Sequence, residues 1–142
     1  MSYIKFSTDR VELDLELKDK YMLISGFSGV GKSLLFEELS LLYDLDSDLI
    51  DSDLPVVLIR SKNDLSILRR LIGNIKCLVI SDEVFAHRVI ELVQDINVYC
   101  ILISRKIYKQ YNFSYRCLYR AVRDNDGVTR IYPKYILDEY FK

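Results

Sequence analysis

The chain has 142 residues, half of them apolar and 29% charged, with a net charge of −1. That is the balance of one soluble globular domain with room for a sizeable core. No apolar run reaches the length of a membrane span, and the opening, Met1 to Ser7, lacks the apolar block of a secretory leader, so a cytoplasmic protein is expected. Cys77, Cys100 and Cys117 are odd in number and lie in apolar, strand-like segments, which reads as buried free thiols. His87 is the only histidine, leaving little material for zinc chemistry or a histidine triad.

Residues 3–6 and 11–17 read as strands joined by the turn-like Ser7 to Arg10. Val11, Leu13, Leu15 and Leu17 alternate with Glu12, Asp14 and Glu16, the period of a half-exposed strand. The apolar run Tyr21 to Ser25 then leads into Gly26 to Ser33, which fits G-x-x-x-x-G-K-[ST] at every fixed position. A polyphosphate approaches a backbone closely only where side chains are absent, so Gly26, Gly29 and Gly31 suit the bend. Amides of the loop and the first helical turn then point at phosphate oxygens. A helix follows from about Lys32 to Leu42 or Tyr43, with Leu35, Phe36, Leu39, Leu42 and Tyr43 as one apolar stripe.

Residues 44–53 hold five aspartates and read as a solvated acidic loop, because the spacing lacks the central glycine and closing glutamate of a calcium loop. Leu54 to Arg60 reads as a buried strand, with Pro55 at its start, and Asp64 to Leu71 as a short helix. Lys76 to Ile80 is a third buried strand, ending in Ser81, Asp82 and Glu83. These three residues suit either the cap of the helix that follows, Val84 to Val93, or a ligand site at a strand end. His87 and Arg88 read as surface residues of that helix. Val98 to Ile103 is a fourth strand, followed by Ser104 and Arg105. Residues 116–122 and 128–133 form two strands around the turn Asp124 to Gly127, and residues 136–141 suit a short closing helix.

With its strand and helix flanks, the Gly26–Ser33 segment resembles the P-loop nucleoside-triphosphatase superfamily. The resemblance covers about residues 21–105 and points to the additional-strand branch, which includes the ATP-binding cassette and AAA+ ATPases. It implies an α/β fold: a three-layer sandwich with a mainly parallel central sheet, plus an N-terminal and a C-terminal β-hairpin. The fourth strand should insert between the first and the third. Residues 1–20 would be N-terminal strands, 21–105 the nucleotide-binding core and 106–142 a C-terminal hairpin and short helix.

The resemblance also implies a site for ATP, or another nucleoside triphosphate, with magnesium. Gly26, Ser28, Gly29, Val30, Gly31, Lys32, Ser33 and Leu34 would hold the nucleotide, with Lys32 between the terminal phosphates. Ser33 and Asp82 would hold magnesium, Glu83 would polarise the attacking water, and Ser104, more than Arg105, would sense the terminal phosphate. Tyr3 or Phe6 could stack on the base, as the opening strands do in cassette ATPases. The chain lacks the Leu-Ser-Gly-Gly-Gln signature and the helical lids of those families, so slow hydrolysis within an assembly is expected. A homo-oligomer could supply Arg60, Arg69, Arg70 or Arg105 in trans.

Two other readings stand beside this one. Residues 1–104 hold 11 Lys/Arg against 17 Asp/Glu, whereas residues 105–142 hold 9 against 4 and seven of the eleven tyrosines. A basic, tyrosine-rich end suits a protein or nucleic-acid partner in a non-enzymatic binding or inhibitory module, of the kind that phages or mobile elements encode. Asp51 and Asp53 fall near the aspartate pair of small-metabolite P-loop kinases.

Overall fold

The structure, a computed structural model, describes residues 1–25, 32–104 and 117–134. Its strands are β1 (Tyr3–Ser7), β2 (Val11–Glu16), β3 (Tyr21–Ser25), β4 (Asp51–Ser52), β5 (Val56–Ile59), β6 (Leu78–Ser81), β7 (Tyr99–Ile103), β8 (Leu118–Arg123) and β9 (Thr129–Pro133). Its helices are α1 (Lys32–Leu45), α2 (Lys62–Leu71) and α3 (Glu83–Val93), with a 3-10 turn at Ser47–Leu49.

Local chemistry accounts for the boundaries. In β2, Val11, Leu13 and Leu15 are buried while Glu12, Asp14 and Glu16 are exposed, as a period of two requires. The turn before it closes on Thr8, whose hydroxyl accepts the backbone N–H groups of Arg10 and Val11. Ser61 caps α2 by accepting from the Asp64 N–H, and Gly73, at φ 89°, lets the chain turn away after it. Asp82 caps α3 in the same way.

All nine strands join one sheet in the order β4-β1-β2-β9-β8-β3-β7-β6-β5. The pairings β2–β9, β8–β3, β3–β7, β7–β6 and β6–β5 are parallel, and β4–β1, β1–β2 and β9–β8 are antiparallel. The fourth core strand, β7, lies between β3 and β6, the order the family resemblance implies.

The expected three-layer sandwich is not what forms. The two hairpins are not appendages to a parallel sheet. Val11 pairs with Thr129 and Glu12 with Arg130, so β2 and β9 fuse both hairpins into one mixed sheet. That sheet also cannot be flat. Nine strands about 4.8 Å apart span roughly 38 Å. Yet its two border strands, β4 and β5, are joined only by residues 53–55. Four Cα–Cα steps cover at most about 15 Å. The sheet therefore curls until its borders approach each other, giving a nearly closed, barrel-like wall with three short helices.

Alternating side chains sort this wall into two cores. One face carries Ile4, Leu13, Met22, Ile24, Ile80 and Ile101 into a single cluster with Leu35 and Leu39 of α1, so α1 fills the inside of the curve. The other face sends Leu23, Val79, Cys100 and Leu102 outward against Leu68 of α2 and Val89 and Ile90 of α3. Strands β3, β6 and β7 are thus covered on both faces, which is why they read as unbroken apolar runs.

Two local expectations also change. Helix α1 runs on to Leu45, and the acidic stretch after it holds the 3-10 turn and β4 instead of a plain loop. The expected helix at 136–141 lies outside the described residues.

Candidate functional site

Four parallel strands, β3, β7, β6 and β5, end side by side at one rim of the wall. Ile24 is in register with Ile103, Leu102 with Ser81, and Ser81 with Ile59. The next residues along the chain, Ser25, Ser104, Asp82 and Arg60, therefore line that rim. Two strand spacings separate β3 from β6, about 10 Å.

Helix α1 begins at Lys32, with six residues between it and the end of β3 at that rim. Lys32, Ser33 and Leu34 form its first turn, whose amides have no acceptor within the helix. That turn carries no acidic residue, whereas α2 and α3 place Asp64 and Glu83 in theirs. The positive end of the α1 dipole is thus left uncompensated by its own side chains. The Leu34 side chain packs on the inner core, so only its backbone amide is available to a ligand. Gly26, Ser28, Gly29, Val30 and Gly31 lie outside the described residues.

Ser104 is fully buried, and its backbone N–H donates to the Ile24 carbonyl at 3.0 Å, tying the end of β7 to β3. Asp82 is half-buried. Its Oδ1 accepts the Val84 N–H at 3.1 Å, so the helix-cap reading holds. That bond engages one carboxylate oxygen and leaves the other for a ligand. Glu83 follows in the first turn of α3 and is also half-buried.

Among the described residues, no three His, Cys, Asp or Glu side chains gather into a metal site. Magnesium does not need such a set, because it takes one or two protein oxygens together with phosphate and water. The Asp82 carboxylate fits that requirement.

Other expected participants are committed elsewhere. Phe6 is 5% exposed in the inner core. The Tyr3 hydroxyl donates to Asp51 Oδ1 at 2.9 Å, and the Tyr3 N–H donates to Asp53 Oδ1 at 2.9 Å. Neither aromatic is placed to stack on a base, and both aspartates serve to fasten β4 to β1. The hydrogen bond to Asp51 raises the Tyr3 hydroxyl pKa, and the bond from the Tyr3 amide lowers that of Asp53. Arg60 is likewise occupied: Nη1 meets Asp44 at 2.8 Å and Ser40 at 3.0 Å, and the guanidinium lies 5.3 Å from the centre of the Tyr43 ring. It clamps α1 to the end of β5. His87 is exposed and meets Glu91 at 3.0 Å. Arg105 lies outside the described residues.

The described part of the C-terminal region is also used within the fold. Tyr119 is 5% exposed. Arg130 meets Asp124 and Asp126 at 2.8 Å and Glu12 at 3.4 Å, while the Tyr132 hydroxyl donates to Asp124 at 2.6 Å. The Tyr132 and Arg130 bonds hold the Asp124 carboxyl below its usual range, and Arg130 does the same for Asp126.

One neighbour of the rim escaped the sequence reading. Arg120 of β8 is in register with Ser25, and the Ser25 hydroxyl donates to the adjoining Tyr119 carbonyl at 3.3 Å. Nothing local announces this, because β8 joins β3 across more than ninety residues of chain.

No protein-family model matches the chain, and no curated protein matches it. Among the described residues, no helix is long and apolar enough to cross a membrane.

Proposed function

We propose that this protein binds a nucleoside triphosphate, ATP with magnesium, at the rim where β3 passes into α1, and hydrolyses it slowly as part of an assembly. One observation carries the reading. The Lys32–Ser33 pair of a complete G-x-x-x-x-G-K-[ST] segment opens a helix that follows a buried strand, and the carboxyl end of that strand lies beside Asp82 and Ser104 at the ends of neighbouring parallel strands. In this reading the amides of Gly26 to Leu34 and the Lys32 ammonium hold the phosphates. Ser33 and the free oxygen of Asp82 hold magnesium, which would supply charge neutralisation at the phosphates. Glu83 orients and deprotonates water, and Ser104 contacts the terminal phosphate. Turnover is slow because Arg60, one of the arginines near the rim, is already committed to Asp44.

Calorimetry with ATP and GTP, with and without magnesium, tests this. Saturable binding that is lost in Lys32→Ala supports it. A chain that binds neither nucleotide, or a Lys32→Ala variant that binds as the parent does, ends it.

A second reading, nucleotide held without turnover, is favoured by the capping bond of Asp82, which gives that carboxylate a purely structural use. Glu83→Gln separates the two. It abolishes hydrolysis in the first reading and leaves function intact in the second.

A further inference from the structure

On the outer side of the wall, α2 and α3 leave a groove of about 570 Å³ between them. Its floor includes the apolar stems of Leu65 and Leu92, both half-buried against the outer core. Its rim carries Lys62, Arg69, Arg88 and Glu91. No carboxylate among the described residues pairs with Lys62, Arg69 or Arg88, whereas Glu91 meets His87. The groove is therefore apolar below and cationic above, in the half of the chain where acidic residues outnumber basic ones.

A feature of opposite character stands elsewhere on the same molecule. At the far end of α1, Leu41 and Leu45 lie one turn apart on one exposed face, and Leu49 follows on the 3-10 turn; they are 55%, 72% and 56% exposed. Asp46 and Asp48 are exposed among them. Asp44 is neutralised by Arg60, but Asp46 and Asp48 have no cation within ion-pair distance among the described residues. Large apolar side chains in solution are unfavourable when they cluster, and this ridge has three. It does not fold back into its own groove, which is lined by α2 and α3 alone.

We infer that the α1 ridge of one copy of this chain docks in the α2–α3 groove of another. The leucines meet the apolar floor, and Asp46 and Asp48 meet the Lys62, Arg69 and Arg88 rim. The two patches differ, so the contact is head-to-tail and every copy offers one donor and one acceptor surface. Nucleic acid fits the groove less well. Its phosphates would satisfy the cations but not the leucines, and Glu91 would repel them. The inference does not depend on nucleotide binding, and its test is made without nucleotide.

Sedimentation velocity over a concentration series tests it, using the full chain and two variants. Arg69→Glu/Arg88→Glu reverses the groove, and Asp46→Lys/Asp48→Lys reverses the ridge. All four positions are exposed, and circular dichroism checks that each variant is folded. The parent chain self-associates, and weakly so at high salt, where the screening length falls to about 3 Å. Each variant alone loses association by about tenfold or more. Mixing the two in equal amounts restores it, since one intact ridge then meets one intact groove. A single variant, Leu45→Lys, lowers association without touching a charge in the groove. A parent that stays monomeric throughout overturns the inference, as does association indifferent to both variants, or a mixture that does not recover. The same holds if the parent is monomeric and only the groove variant loses binding to a single-stranded oligonucleotide, which would give the groove to nucleic acid instead.

Discussion

Asp82 has two uses in this reading, and substitution separates them. Its Oδ1 caps α3 through the Val84 N–H, while in the proposed function its charge and second oxygen would serve magnesium. Alanine removes both uses. Loss of a capping carboxylate costs about 1 kcal/mol, within a range of about 0.5–2. For a chain of 142 residues that corresponds to a fall in Tm of roughly 3–4 °C. Asparagine caps about as well as aspartate but carries no charge and is a poor partner for magnesium. Asp82→Asn should therefore melt within about 1 °C of the parent. It should nevertheless lose the magnesium-dependent part of ATP affinity, while Asp82→Ala loses both stability and that affinity. Differential scanning calorimetry and titration calorimetry read the two quantities on the same samples. If Asp82→Asn keeps full magnesium-dependent affinity, the metal role is wrong. If it melts as low as Asp82→Ala, the carboxylate charge, and not the cap, is what α3 needs.

Leu39→Ala, at the centre of the inner core, should cost about 2–5 kcal/mol in urea unfolding, whereas exposed Leu41→Ala should stay within about 0.5 kcal/mol; equal effects would mean that α1 does not lie inside the wall. Asp124 and Asp126 have folded-state pKa values held down by Tyr132 and Arg130, so their contribution is present above the ordinary carboxylate range and lost as pH falls through the depressed values. The gap in urea midpoint between parent and Arg130→Ala should therefore shrink on acidification, and a gap that is constant with pH would contradict the network. Burial pushes the Cys100 thiol up to about 12 and also raises Cys77. Neither should react with a disulfide reagent at neutral pH in the native chain, and both should react once it is unfolded; rapid native labelling of Cys100 would refute its burial.

What could be read from sequence was local. The alternation of Val11 to Glu16 reveals a strand with one wet face, and the runs Leu78–Ile80 and Cys100–Ile103 reveal strands with none. The Gly26–Ser33 segment was legible only as a candidate phosphate loop, because that pattern admits so few residue types at its fixed positions. Closure of the wall was not legible. It depends on Val11 meeting Thr129 and Leu23 meeting Leu118, pairings between segments far apart in the chain that leave no periodic trace. The two-residue strand β4 was also hidden, since Asp51 and Ser52 look like loop and are drawn into the sheet by Tyr3. The same bonds give Tyr3, Asp51 and Asp53 a structural use. Side chains with chemistry to offer a ligand were spent on holding a sheet border.

That border has a consequence for how the chain behaves in crowded solution. Unpaired strand backbones are templates on which other molecules can stack into fibrils. Here one such template is two residues long, and the other begins just after Pro55, which cannot donate a ladder bond. The three-residue tether keeps them turned toward each other instead of outward. A foreign strand would have to enter a gap already narrowed by covalent linkage, so fibril growth from this sheet is obstructed by its own connectivity.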